Sequence, residues 1–95
     1  MGEFEPIIEF YETIADDSRI TVTHISLYIA LLYQWNLNSR KNPISINRND
    51  IMKTAKISAR CTYNKYIHEL HDFGYIKYIP SSNPLVGSTI YLKRL

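Results

Sequence analysis

The chain has 95 residues, 45% of them apolar and 21% charged, which suits one folded domain and excludes wholesale disorder. A single cysteine excludes an internal disulfide, and the longest apolar run, Leu27 to Tyr33, falls far short of the ~20 residues that span a bilayer. The net charge of +2 conceals a segregation. Residues 1–20 hold Glu3, Glu5, Glu9, Glu12, Asp16 and Asp17 against Arg19, residues 21–39 hold no Asp, Glu, Lys or Arg, and residues 40–95 hold ten Lys or Arg against Asp50, Glu69 and Asp72. Such a pattern predicts an electropositive binding surface with the acidic part kept away from it, the bland alternative being a solvated surface with an accidental excess. The acidic start, MGEFEPIIEF, argues against a signal peptide, so a cytoplasmic location is expected.

In chain order, Glu5 to Ala15 predicts a short helix that tolerates Pro6 in its first turn. Ile7, Phe10, Tyr11 and Ile14 share a face suited to packing across the next helix. Asp16, Asp17 and Ser18 break the pattern. Thr21 or Thr23 can cap a second helix that runs to about Asn36. This helix is apolar on two stripes, Val22, Ile25, Ile29 and Leu32 on one, Tyr28, Leu31 and Trp35 on the other. It is therefore either central in its domain, the favoured reading, or buried in a homodimer formed through residues 4–35. A loop over 38–43 follows. Ile44 and Ile46 flank a serine and suit a very short strand that pairs with a later hairpin. Asn47 caps a third helix, with Asp50 standing where a capping box carries its acid. Ile51 and Met52 face inward, and Ala55 is small where two helices approach.

Ser58 is expected to cap a fourth helix and Gly74 to close it with a left-handed residue. Tyr63, Ile67, Leu70 and Phe73 recur on one face. The opposite face carries Ser58, Cys61, Asn64, Lys65 and His68, with Arg60 and Thr62 towards its edges and no acid before Glu69. That face suits a negatively charged partner. Two β-rich runs, 75–79 and 89–93, form an antiparallel pair, joined by a loop with two prolines and Gly87.

Helix, tight turn, helix and hairpin is the order of the winged helix-turn-helix family. The string Ile51, Ala55, Ile57, Ser58, Arg60, Thr62, Tyr63, Ile67, Leu70, Phe73, Gly74, Tyr75 and Ile76 resembles that family over about half the chain. Tyr63 departs from it, since the family commonly has Val there and the core must take a larger ring. The whole chain also resembles small stand-alone proteins of Bacteroides-type mobile elements. These resemblances imply a mainly α fold with a small antiparallel β-wing, in the order α-α-(β)-α-α-β-β. The chain is then one domain, an acidic helical extension over 1–20 and a winged-helix core over 21–95. The implied partner is double-stranded DNA, bound by a transcriptional regulator or an accessory of excision or replication, with helix 59–73 in the major groove.

Site residues follow from face and position. Asn64 and Lys65, mid-helix and outward, can reach base edges, while Arg60 can reach a base or a phosphate. Ser58 and Thr62 suit phosphate oxygens at the positive end of the helix dipole, and His68 the DNA backbone. Arg48 and Lys53, on the preceding helix, and Lys77, near the wing, suit phosphates. Ser81, Ser82 and Asn83, in a hairpin loop without Lys or Arg, can still bond phosphates as part of the DNA-binding set. That uncharged loop, the eight tyrosines and the apolar stripes suit the alternative function, a winged-helix module whose partner is a protein. No enzyme activity, cofactor, metal or small-molecule ligand is expected. His68 and His71 stand three apart rather than the four of a metalloprotease helix, and adding Cys61 leaves three ligands on one helix, a poor tetrahedral site. Tyr91 lacks the Arg and His that a DNA-joining nucleophile needs nearby.

Overall fold

A computed structural model describes residues 5–81 and 87–95. The first helix, α1 (Pro6–Ile14), opens on a proline whose missing N–H would have been unpaired there anyway. It drives Phe10 into the core, where the ring stacks on Tyr28 with centroids 3.9 Å apart. Glu9 accepts two hydrogen bonds of 2.8 Å, from Arg94 Nε–H and from the Leu95 backbone N–H, and Glu5 lies 3.6 Å from Arg40. The N-terminal acids are thus not kept apart from the basic half, as the charge pattern suggests. Folding brings α1 against Arg94 and Leu95, and two cations of that half are matched by Glu5 and Glu9.

The long helix α2 (Val22–Leu37) is capped by Thr21 in a reciprocal box that uses a histidine. The Thr21 N–H donates to His24 Nδ1 at 3.0 Å, and the Thr21 hydroxyl accepts from the His24 N–H at 3.5 Å. α2 is the central element, packing on α1, α3 (Arg48–Ala55), α4 (Arg60–Asp72) and the first strand. It buries His24, Leu27, Tyr28, Ala30, Leu31 and Trp35. The stripe of Val22, Ile25, Ile29 and Leu32 is covered only in part: Ile25 and Leu32 pack half-buried against the core, whereas Val22 is 82% exposed and Ile29 is exposed. The neighbours of α2 thus leave Val22 and Ile29 open although the helix is central.

Three strands complete the fold, β1 (Ile44–Ile46), β2 (Ile76–Ile79) and β3 (Ser88–Leu92), antiparallel in the order β1-β3-β2. Ile44 on one side and Tyr78 on the other both face Ile90 in register. The Asn42 side chain lengthens the β1–β3 ladder by imitating a backbone. Its amide donates to the Leu92 carbonyl at 2.9 Å and its oxygen accepts from the Leu92 N–H at 3.0 Å. Ile44, Ile46, Ile76, Ile90 and Leu92 close the core beneath the helices. The molecule is mainly α with a small antiparallel β region. Among the described residues, no helix is long and apolar enough to cross a membrane.

Candidate nucleic-acid interface

The pair α3 and α4 is built by three local devices. Asn47 Oδ1 accepts the Asp50 N–H at 3.2 Å and starts α3. Lys56, left-handed at φ 62°, ends it. The Lys56 N–H reaches the Lys53 carbonyl at 3.3 Å and the Ile57 N–H the Met52 carbonyl at 2.9 Å, which returns Ile57 to the core. Ala55 is buried, and its carbonyl accepts the Ser26 hydroxyl, so its small side chain lets α2 approach.

Ser58 is not the cap of α4. Ala59 occupies that position in extended backbone, and no side chain bonds to the first-turn N–H groups. The left-handed turn and the burial of Ile57 leave the chain two residues short of helical dihedrals, so the helix starts at Arg60. Tyr63, Ile67 and Leu70 are buried and Phe73 is half-buried, as the spacing predicts. The core does accept the Tyr63 ring. Burial pushes the pKa of its hydroxyl upward, helped by Tyr78 and opposed by the charge of Arg48. Gly74, at φ 91°, closes the helix. Its N–H bonds to the His71 carbonyl at 3.1 Å, and the Tyr75 N–H to the Leu70 carbonyl at 2.9 Å.

Two polar anchors fix α4 against the start of α2, and neither has a local signal in the sequence. His24 is buried with its Nδ1 accepting from Thr21, so its Nε2–H donates to Glu69 Oε1 at 2.7 Å. Asp17 accepts the Tyr75 hydroxyl at 2.7 Å and both Nε and an Nη of Arg19 at 2.8 Å, while the Arg19 guanidinium lies 4.1 Å from the Phe73 ring centre. The Arg19 hydrogen bonds, then that of Tyr75, hold the Asp17 carboxyl well below the usual carboxylate range. Burial first, and Asp17 second, push the Tyr75 hydroxyl up to about 12.

Of the expected site residues on α4, Ser58, Arg60, Asn64, Lys65 and His68 are exposed and Thr62 is half-buried. His68 is held in place: its Nδ1–H donates to the Asn64 carbonyl at 2.7 Å, and its ring stands edge-on to Tyr78 at 5.2 Å. Lys65 Nζ lies 5.4 Å from the Tyr66 ring centre, and Lys77 Nζ 5.4 Å from that of Tyr91. Arg48 and Lys53 are both exposed, yet five positions place them about 140° apart around α3, so they do not share one face of it. Ser81 is exposed; Ser82 and Asn83 lie outside the described residues. Lys56, which the sequence pattern does not single out, stands exposed at the turn itself. Among the described residues, Arg48, Lys53, Lys56, Arg60, Lys65 and Lys77 form no ion pair. Cys61 is exposed, and His71 Nδ1 accepts the Tyr78 N–H at 3.0 Å. Among the described residues no three of His, Cys, Asp or Glu are grouped to hold a metal ion.

Comparisons with protein-family models, with curated proteins and with solved structures returned no match to this chain.

Proposed function

We propose that the protein is a winged helix-turn-helix that binds double-stranded DNA through α3 and α4, with the β2–β3 hairpin as its wing. The observation that carries this reading is the charge arrangement around the α3–α4 turn. Six exposed cations there and on β2 have no acidic partner among the described residues, while Glu69, the first acid along α4, is bonded to the buried His24. A first turn of α4 without a side-chain cap offers its N–H groups and dipole to a phosphate, flanked by Ser58, Arg60 and Thr62. Asn64 and Lys65 then point at base edges, and Lys56 contacts backbone together with one of Arg48 and Lys53, which lie on different faces of α3. A cytoplasmic regulator or accessory factor of a mobile element is the role this reading fits.

A mobility shift with duplex DNA over a salt series is the test. With about four phosphates neutralised, log K falls against log salt with a slope near −4. Asn64→Ala and Lys65→Ala lower the ratio of selected-site to random binding about fivefold or more, since a bidentate base contact discriminates by ~1–3 kcal/mol. Absence of binding at low salt overturns the proposal. The exposed α2 stripe would then favour the second reading, a module that binds a protein.

A further inference from the structure

We propose that His68 couples DNA binding to proton uptake, its imidazole becoming charged as it meets a phosphate. This rests on the DNA-binding reading and adds to it a dependence on pH. The chain has three histidines, and their hydrogen bonds set one apart. His24 is buried, its Nδ1 accepting the Thr21 N–H at 3.0 Å and its Nε2–H donating to Glu69. His71 Nδ1 accepts the Tyr78 N–H at 3.0 Å. In both, a second proton would have to enter on the nitrogen that already faces a backbone N–H, so charging the ring breaks a bond. His68 is the reverse case. Its Nδ1 faces the Asn64 carbonyl at 2.7 Å, and a carbonyl only accepts, so Nδ1 carries the proton of the neutral ring. Nε2 is then the bare nitrogen, and a second proton adds there without disturbing the bond to Asn64.

Position makes that proton count. His68 is exposed on the side of α4 that carries Asn64 and Lys65, and Tyr78 of β2 stands edge-on to its ring at 5.2 Å. The ring therefore sits between the helix assigned to the major groove and the strand that begins the wing. Asn64 and Tyr78 fix its orientation before any ligand arrives, so little side-chain freedom is lost on binding. A bare Nε2 is an acceptor and repels a phosphate oxygen, whereas a protonated Nε2 donates a charge-assisted hydrogen bond to it. The titratable neighbours are Cys61 and Lys65 before it on α4, His71 and Asp72 after it, and Tyr78 on β2. Among the described residues no carboxylate lies within ion-pair distance of the ring. The anion that would hold the second proton must then come from outside the protein. Protonation and phosphate contact favour each other, and the sign follows from linkage. Affinity is full at the acid end of the ordinary histidine range, about pH 5 to 8, and is lost as pH rises through it.

The test is fluorescence anisotropy of a labelled random duplex of about 20 base pairs, titrated with the full chain at about pH 5.5 and 7.5 over a salt series. That window lies above the ordinary carboxylate range and below that of a thiol, which leaves histidine as the side chain that titrates. The expected result is binding about fivefold or more tighter at the lower pH, with a salt slope steeper by about one unit. His68→Gln should bind at both pH values as weakly as the parent does at the higher one. His68→Lys, charged throughout, should bind at both as tightly as the parent does at the lower one. His71→Gln should keep the pH dependence of the parent, and helical circular dichroism should be retained in all three. The parent alone gives a second reading, since adding duplex at neutral pH should move the His68 imidazole proton resonances to their protonated positions. Equal affinity at the two pH values, or a pH dependence that survives in His68→Gln, overturns this inference and leaves DNA binding standing. Absence of binding at both pH values overturns the two together.

Discussion

α3 and α4 end in the same hydrogen-bonded turn, but one turn is built on Lys56 and the other on Gly74. In each, the residue after the left-handed position returns to the core, Ile57 beside Met52 and Tyr75 beside Leu70, with N–H bonds of 2.9 Å back into the helix. Glycine enters that conformation freely, whereas an L-residue does so at a cost of ~1–2 kcal/mol. A strained backbone kept beside a candidate binding face points to a job for the side chain. Lys56 stands exposed where the chain enters α4, among Lys53, Ser58 and Arg60. The Gly74 turn is architecture; the Lys56 turn holds a charge at the candidate interface.

Breaking the glycine turn should have the largest effect. Gly74→Val is expected to destabilise by about 2 kcal/mol, lowering the melting temperature by roughly 10 °C in a domain of this size. A Cβ there meets nothing within 4 Å, so the whole effect comes from the backbone at φ 91°. Gly74→Asn should lose about half as much, because Asn tolerates the left-handed region. Equal losses from the two would mean that something other than φ is being measured.

The converse exchange separates strain from charge. Lys56→Gly should raise stability by about 0.5 kcal/mol, the relieved strain less the extra freedom of glycine in the unfolded chain. The same variant should make the salt slope of DNA binding shallower by about one unit if Lys56 touches a phosphate. Lys56→Asn, left-handed but uncharged, should share the binding defect. Thermal melts and salt titrations on the same preparations give both answers. Stabilisation without a change in slope would leave Lys56 strained for no purpose at DNA.

These two turns also show how far the sequence reaches. Gly74 is legible because few other residues suit a closing position after Phe73, and the periodicity of Tyr63, Ile67 and Leu70 fixes the buried face. Asn47 is legible as a cap for a similar reason, having a short side-chain acceptor just before the helix. Lys56 is not, since nothing in a lysine announces positive φ, and without it the expected cap of α4 falls on Ser58. His24 escapes notice because the capping box usually carries Glu or Gln where it stands. Its partner Glu69 is 45 residues away, and Tyr75 is 58 from Asp17. Pairings at that distance exist only once the core has formed. The exposure of Val22 is hidden differently, because periodicity reveals an apolar stripe but not how many neighbours there are to cover it.

Acid should sharpen the contrast with the smallest effect. Tyr75, just after Gly74, is tied to the Asp17 carboxylate, whereas Ile57, just after Lys56, is held by its backbone bond and its apolar burial. The folded-state pKa of Asp17 is depressed, chiefly by Arg19 and then by Tyr75. Its contribution to stability is therefore full above the unfolded value of about 3.9 and is lost as pH falls towards the lower folded value. Between about pH 5 and 2, the parent should lose more stability than Asp17→Asn, whose amide does not titrate, and the two curves should converge at the acid end. The loss should also be local. Amide exchange at Tyr75, measured against exchange at Ile57 in the same sample to cancel the intrinsic pH dependence, should quicken on acidification in the parent and stay level in Asp17→Asn. Parallel stability curves for the two proteins would mean that the Asp17 carboxylate does not tether the end of α4.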